Sequence, residues 1–235
     1  MNKTVLVTGS TGTIGTAVCK KFVSEKWRVL AHYHSSDEKA RRLEKNKMTT
    51  TFQANFAKKD GPDKLASQIL KTGLEVDAVI NNCSIFKKTT LENISLEDWE
   101  KHLAINTRAP LFLIKHLAAS LRKQQGVVIN LTDCGLKFPY PGYLAYMASK
   151  GALETLTGCL ARALGPEVRV NAIAPGPVTF PNNFTEKQKE KLINNTALKR
   201  AGKPEEIAEL IFFTTTGATY SSGSTIHIDG GYHND

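Results

Sequence analysis

The apolar, β-branched run Lys3 to Thr8 passes without interruption into Gly9-Ser10-Thr11-Gly12-Thr13-Ile14-Gly15, and that turn opens an amphipathic stretch from Ile14 to Glu25. Glycines at such spacing permit a tight turn and close backbone approach to a pyrophosphate, whose charge sits on the helix N-terminus. Many glycine-rich loops are turns and nothing more. Set between a first strand and a first helix, this one reads as a dinucleotide site contacted by Gly9, Thr11, Thr13, Ile14 and Gly15.

The rest of the chain repeats the alternation that this opening begins. Short apolar strand candidates fall at Lys3–Thr8, Arg28–Tyr33, Thr49–Gln53, Val76–Asn81, Val127–Leu131, Val168–Ile173 and Thr225–Ile228, with helix-length segments between most of them. That pattern predicts an α/β fold, a doubly wound parallel sheet covered by helices on both faces. Ligands in such sheets bind at the carboxyl ends of the strands. Polar or special residues cluster at those ends: Thr8 and Gly9, His34 to Ser36, Asn55, Asn81 and Asn82, Asp133, and Pro175-Gly176.

At 235 residues, with no Pro/Ser-rich linker and no internal repeat, the chain reads as a single domain, 1–235. The formal charge of +9 raises nucleic acid as a partner, but the basic residues are scattered over helix faces, so a solvated surface that attracts an anionic cofactor is the expectation. Cys19, Cys83, Cys134 and Cys159 lack metal-ligand spacing and read as free thiols of a reducing cytosol, Cys19 and Cys159 as core residues of helices. Met1-Asn2-Lys3 runs straight into the first strand and no apolar run reaches membrane-spanning length, so a cytoplasmic protein without a membrane partner is expected.

Tyr146 and Lys150 stand four residues apart in a predicted helix from Ala145 to Leu164, one turn apart on one face. A fixed ammonium beside a phenol stabilises phenolate and lets the tyrosine exchange a proton near neutral pH. That is an acid/base device for a carbonyl or imine, and it requires a hydride source. Asp133, 13 residues before Tyr146, either caps a loop through backbone N–H groups or joins the site.

Ser95 to Arg122 reads as one long helix with Ser95 as N-cap, Asp98 in a capping-box-like role and Asn106 within it. Pro110 has no N–H for the carbonyl of Asn106, which predicts a kink there. The freed carbonyl either holds a water on a proton path from Lys150 to solvent or merely tolerates a bend.

Taken together, Thr8-Gly9 with the spaced glycines, Asn81-Asn82-Cys83-Ser84, Asn106, Tyr146 with Lys150, Pro175-Gly176 and Asp229-Gly230-Gly231 resemble the short-chain dehydrogenase/reductase family over essentially the whole chain. The resemblance implies a seven-stranded Rossmann fold, a nicotinamide cofactor reached also by Asn82, Ser84, Pro175 and Gly176, and a homotetramer. It implies that Tyr146 donates the proton, that Lys150 binds the nicotinamide ribose and lowers the tyrosine pKa, and that Asn106 completes a relay.

Three departures narrow the resemblance. Asp133 stands where the family places a serine; His32-Tyr33-His34-Ser35-Ser36 lacks the acidic residue that grips a ribose diol; and Phe86 lies just beyond Ser84, as core or as a ring over the site. These features, with Ala145-Tyr146-Met147-Ala148-Ser149-Lys150 and Pro166 to Asn171, are similar to the pteridine reductase and dihydromonapterin reductase branch. That likeness implies NADPH, its 2′-phosphate on His34, Ser35 and Ser36, and a pterin held by Ser84, Phe86, Asp133 and Tyr146. Thr13 departs from the basic residue that the branch often carries, and Asn55 replaces the family's usual acidic contact to adenine. A substrate flap is expected over 177–200, its polar and basic part Phe180 to Leu198 closing on the ligand. Three functions stay open: a dihydropterin reductase, a 3-oxoacyl or small-ketone reductase, and a non-catalytic NADP-binding sensor.

Overall fold

A computed structural model describes residues 2–181 and 183–232. The seven apolar runs are strands: β1 (Thr4–Val7), β2 (Arg28–Tyr33), β3 (Thr49–Gln53), β4 (Ala78–Asn81), β5 (Val127–Leu131), β6 (Arg169–Pro175) and β7 (Thr225–Ile228). They form one sheet in the order β3-β2-β1-β4-β5-β6-β7, and every pairing is parallel. The chain winds outward from β1 in one direction and from β4 in the other. Between those two strands lies the crevice in which such sheets hold ligands.

The two-residue period of each strand sends alternate side chains to opposite faces. Val5, Val7, Val29, Ile80 and Ile129 pack on one face against Val18 and Phe22 of α1 (Thr13–Ser24) and Ile207 and Ile211 of α8 (Pro204–Thr216). Leu6, Leu30, Val79, Val128 and Val170 pack on the other against Leu65 and Ile69 of α3 (Gly61–Leu70) and Leu113, Leu117 and Leu121 of α5 (Ala109–Lys123). Phe22, Trp27 and Phe212 meet edge to face and seal the outer end of the first layer. Cys19 is core as expected, whereas Cys159 is exposed on α6 (Leu144–Leu164). The helical period, not the residue type, decides that difference.

The long helix is built differently from its expected form. α4 (Leu96–Leu103) begins on a Ser95 cap, whose Oγ accepts the Asp98 N–H at 3.0 Å. Asp98 closes no capping box, because its carboxylate pairs with Lys87 at 2.6 Å. Before Pro110 the helix widens into a π turn over Ala104–Arg108, and the Ala109 N–H bonds the Ala104 carbonyl five residues back. One extra residue in a turn is a documented way to re-aim a side chain at a functional site. Here it accommodates the proline, and the Asn106 side chain reaches the loop after β4 and α6. α2 (Asp37–Glu44) covers the edge by β2 and β3, and α7 (Glu186–Asn194) lies in the flap. Among the described residues no helix is long and apolar enough to cross a membrane.

Candidate active site

The glycine-rich turn has the geometry that an anion site needs. Gly12 caps α1 without a side-chain hydrogen bond, and no acidic residue occupies the first turn, so the helix presents backbone N–H groups and the positive end of its dipole. Gly9 adopts φ +65, and a Cβ there would lie 2.8 Å from Cys83 Cα. At Gly15 a Cβ would meet the Gly9 carbonyl at 2.3 Å, so any larger residue would force the loop open. Asn82 braces this turn from the switch point: its Nδ2 donates to the carbonyls of Thr8 at 2.9 Å and Gly9 at 3.1 Å. The Thr8 hydroxyl accepts the N–H groups of Asn82 and Cys83, each at 3.0 Å. The loop and the β4 end are thereby fixed to one another.

A cleft of about 750 Å³ runs from this turn past the ends of β4, β5 and β6. Thr13, Ile14, Asn82, Ser84, Phe86, Asp133, Tyr146, Lys150, Pro175 and Gly176 all line it, so most of the expected contacts converge. Gly176 is needed for closeness, since its Cβ would strike Asp229 Cα at 2.6 Å. His34 and Ser35 are exposed and Ser36 caps α2 beyond the β2 end, away from the lining of the cleft. The same helix opens with Asp37 and Glu38, two carboxylates that follow the second strand after all; the Asp37 side chain is held by the Tyr33 hydroxyl. Asn55 spends its Oδ1 on the Ala57 N–H at 2.9 Å, a local turn that places its amide.

At the centre, the Tyr146 hydroxyl donates to Asp133 Oδ2 at 2.6 Å, and the Gly135 N–H donates to Oδ1 at 2.7 Å. Asp133 thus caps the 3₁₀ turn Cys134–Leu136 and holds the tyrosine at once. Both alternatives open in the sequence are realised together. Burial pushes the Asp133 carboxyl above its usual range against the opposing pull of its donors. Burial and the neighbouring carboxylate hold the Tyr146 proton well above the ordinary phenol value.

Lys150 does not act as expected on the phenol. Its Nζ donates to the Leu131 carbonyl at 2.6 Å and stands 5.8 Å from the Tyr146 ring centroid. Desolvation brings its pKa down to about 8, with the Asp133 charge opposing. The nearest charge to the phenol is the carboxylate, so this arrangement favours a protonated tyrosine, an acid rather than a phenolate.

Asn106 is buried and every polar atom of its amide is engaged. Oδ1 accepts the Ile85 N–H at 2.9 Å, while Nδ2 donates to the Ile85 carbonyl at 3.1 Å and to Ser149 Oγ at 2.9 Å. It pins the loop carrying Ser84 and Phe86 to the helix carrying Tyr146. Phe86 is not core: it is 39% exposed, stacks on Tyr143 at 4.2 Å and 11°, and meets the Tyr146 ring edge-on at 4.7 Å.

Tyr143, Tyr140 and the inward turn of His32 escaped the sequence reading. Tyr143 and Tyr140 line the cleft beside Phe86 and Asp133, and their only sequence signal was aromatic residues just before the Tyr146 helix. His32, read as part of the phosphate stretch, points into the protein and is 1% exposed. In the flap, Phe180, Phe184 and Leu192 face the cleft, α7 buries none of its residues, and the flap end is stitched to Gly230 and Gly231 by the N–H groups of Leu198 and Ala197 at 3.1 and 3.2 Å. No cluster able to hold a metal ion occurs among the described residues.

The family model described as enoyl-(acyl carrier protein) reductase matches residues 9–233. A 3-oxoacyl-[acyl-carrier-protein] reductase FabG of Staphylococcus epidermidis is 30% identical over 99% of this chain and 100% of its own. Glucose 1-dehydrogenase 2 of Bacillus subtilis is 30% identical over 97% of this chain and 94% of its own. Among solved structures, the FolM alternative dihydrofolate reductase 1 of Brucella canis, complexed with NADP, superposes with a TM-score of 0.90 at 28% identity, covering 99% of this chain and 94% of that one. A blue fluorescent protein from a metagenomic library, in complex with NADPH, gives 0.90 at 27% over 99% and 98% of the two chains. Sheet order, glycine turn, tyrosine and lysine therefore agree with whole-length similarity, and the chain belongs to the short-chain dehydrogenase/reductase family.

Proposed function

We propose that the protein is an NADPH-dependent reductase of the C=N bond of a dihydropterin-type substrate. The observation that carries this reading is the Asp133–Tyr146 hydrogen bond of 2.6 Å, with a carboxyl where the family's serine would stand. A carboxyl and a phenol sharing protons can accept from the N–H and amino groups of a pterin and return a proton to its ring nitrogen. A ketone offers only an acceptor oxygen. The FolM neighbour is named as a dihydrofolate reductase, a related heterocycle chemistry.

The dinucleotide would lie with its pyrophosphate on the uncapped N-terminus of α1 and its nicotinamide beside Lys150, Pro175 and Gly176. Bound there, the nicotinamide supplies the hydride. Tyr146, kept protonated, would donate to the substrate nitrogen, and Asp133, whose carboxyl burial holds above its usual range, would take up a proton from solvent and pass it to the resulting phenolate through the bond they share. Lys150, engaged on the Leu131 carbonyl, keeps its ammonium at the ribose position. Phe86, braced by Tyr143, offers a ring wall to a flat substrate, and Ser84 lines the same wall. His34, Ser35 and Ser36, at the open end of β2, would donate to a 2′-phosphate, and Asn55 would meet the adenine.

A second reading, 3-oxoacyl thioester reduction, is favoured by the whole-length similarity to the FabG of S. epidermidis. A purified-protein assay at the cofactor's absorbance, with dihydrobiopterin, dihydromonapterin, dihydrofolate and an acetoacetyl thioester, separates the two. Turnover of a dihydropterin above the thioester is expected. Turnover of the thioester alone establishes the second reading, and binding of NADPH without any turnover leaves the sensor.

A further inference from the structure

His32 sits at the carboxyl end of β2, 1% exposed, with both ring nitrogens engaged. The Gly9 N–H donates to Nδ1 at 3.2 Å, and Nε2 lies 3.1 Å from the Ala54 carbonyl. A donor at one nitrogen and a carbonyl at the other admit one form only, the neutral ring with its proton on Nε2. The ring also lies flat on Phe56, centroids 4.1 Å apart and planes 12° from parallel. Its own backbone carbonyl takes the Ser10 N–H and the Ser10 hydroxyl, each at 2.9 Å.

These bonds join two segments distant in sequence. Gly9 and Ser10 begin the turn assigned to the pyrophosphate; Ala54 and Phe56 flank Asn55, assigned to the adenine. One imidazole therefore sets the separation of the two walls between which an adenosine must fit. The Gly9 end cannot drift independently, since φ +65 and the closeness of Cys83 leave that residue a single seat.

We propose that His32 is the positioning residue for the adenosine half of the cofactor: it touches neither hydride nor proton, and acts by holding the glycine turn at a fixed distance from the loop after β3. The inference rests on the NADPH reading above. His32→Phe keeps the ring and its stacking on Phe56 while removing both bonds, each worth about a factor of five. The expected result is a rise of ~10- to 100-fold in the Kd for NADPH and, in parallel, in the inhibition constant of 2′,5′-ADP, with kcat at saturating NADPH held within ~2-fold. His32→Asn, whose amide retains one donor and one acceptor, is expected to rise only ~3- to 10-fold in the same two constants. If His32→Phe does not fold, His32→Asn carries the test.

Unmodified affinity in a folded variant overturns the inference, as does a fall in kcat at unchanged affinity. A loss of NADPH affinity that leaves 2′,5′-ADP untouched also overturns it. Failure of the unmodified protein to bind NADPH overturns the cofactor reading and the inference with it, whereas unmodified-level affinity in both variants overturns the inference alone.

Discussion

Tyr146 and Lys150 could be picked out as a pair because a four-residue spacing within one helix is written in the sequence, whereas the bond of Lys150 to the Leu131 carbonyl is not. The register of Asp133, 13 residues before Tyr146, offered it as a loop cap or a site residue, and the fold makes it both by bringing it to 2.6 Å from the phenol. His32 carried no role of its own in the sequence, which shows that a histidine ends a strand but not that its ring turns inward. Replacing Tyr146 with Phe is expected to cut turnover by at least ~10³-fold while the Kd for NADPH stays within ~3-fold, as measured by single-turnover kinetics and fluorescence titration. A matching loss of cofactor binding would show a structural tyrosine. Lys150, brought down to about 8, is charged below that pH and neutral above it. Accordingly kcat/KM for NADPH should fall above about pH 8, and a flat profile into more alkaline solution would remove the ammonium from cofactor binding. Ser35→Asp should shift the ratio of NADPH to NADH efficiency toward NADH by ~10-fold or more, because a carboxylate would then face the 2′-phosphate.

Among the elements, the strands were read nearly to the residue, because a buried parallel strand declares itself as an apolar run bounded by turns. The helix around Asn106 was read as a proline kink, and the chain instead inserts a residue in a π turn. Periodicity cannot separate those outcomes, since both keep the apolar face while shifting it. The consequence is functional: the π turn turns an amide toward Ile85 and Ser149, which fixes the loop before Phe86. Asn106→Ala removes those bonds from a buried site and should lower stability by about 2–3 kcal/mol in denaturant unfolding, with a larger loss in turnover than in NADPH affinity. A stability unchanged within error would mean that the loop is held elsewhere. The flap stayed illegible in detail because α7 buries nothing, so no apolar pattern records what it closes upon.

Across the whole molecule, the alternation of strands and helices specified the doubly wound sheet, and the sheet in turn placed the polar residues at the strand ends into a common cleft. The fold also fixes an acid limit. His32 is held neutral, its pKa lowered from 6.5 to about 4 chiefly by burial. Below pH 6.5 the unfolded chain takes up a proton that the folded one refuses, so stability falls as pH drops from 6.5 toward about 4, by on the order of 3 kcal/mol in total. His32→Asn should flatten that part of the pH–stability curve, and an unchanged slope in thermal unfolding would assign the acid sensitivity to other groups.

On the proposed reading, Asp133 makes this site one for a pterin. Asp133→Ser restores the family's hydroxyl beside Tyr146 and removes the acceptor that pterin donors need. The direct measurement is the ratio of kcat/KM for a dihydropterin to that for an acetoacetyl thioester, in the unmodified protein and in this variant. The ratio is expected to fall at least ~10-fold, the worth of one charge-assisted hydrogen bond, with thioester reduction kept or improved. A ratio that stays constant, or rises, in the folded serine variant would contradict that reading.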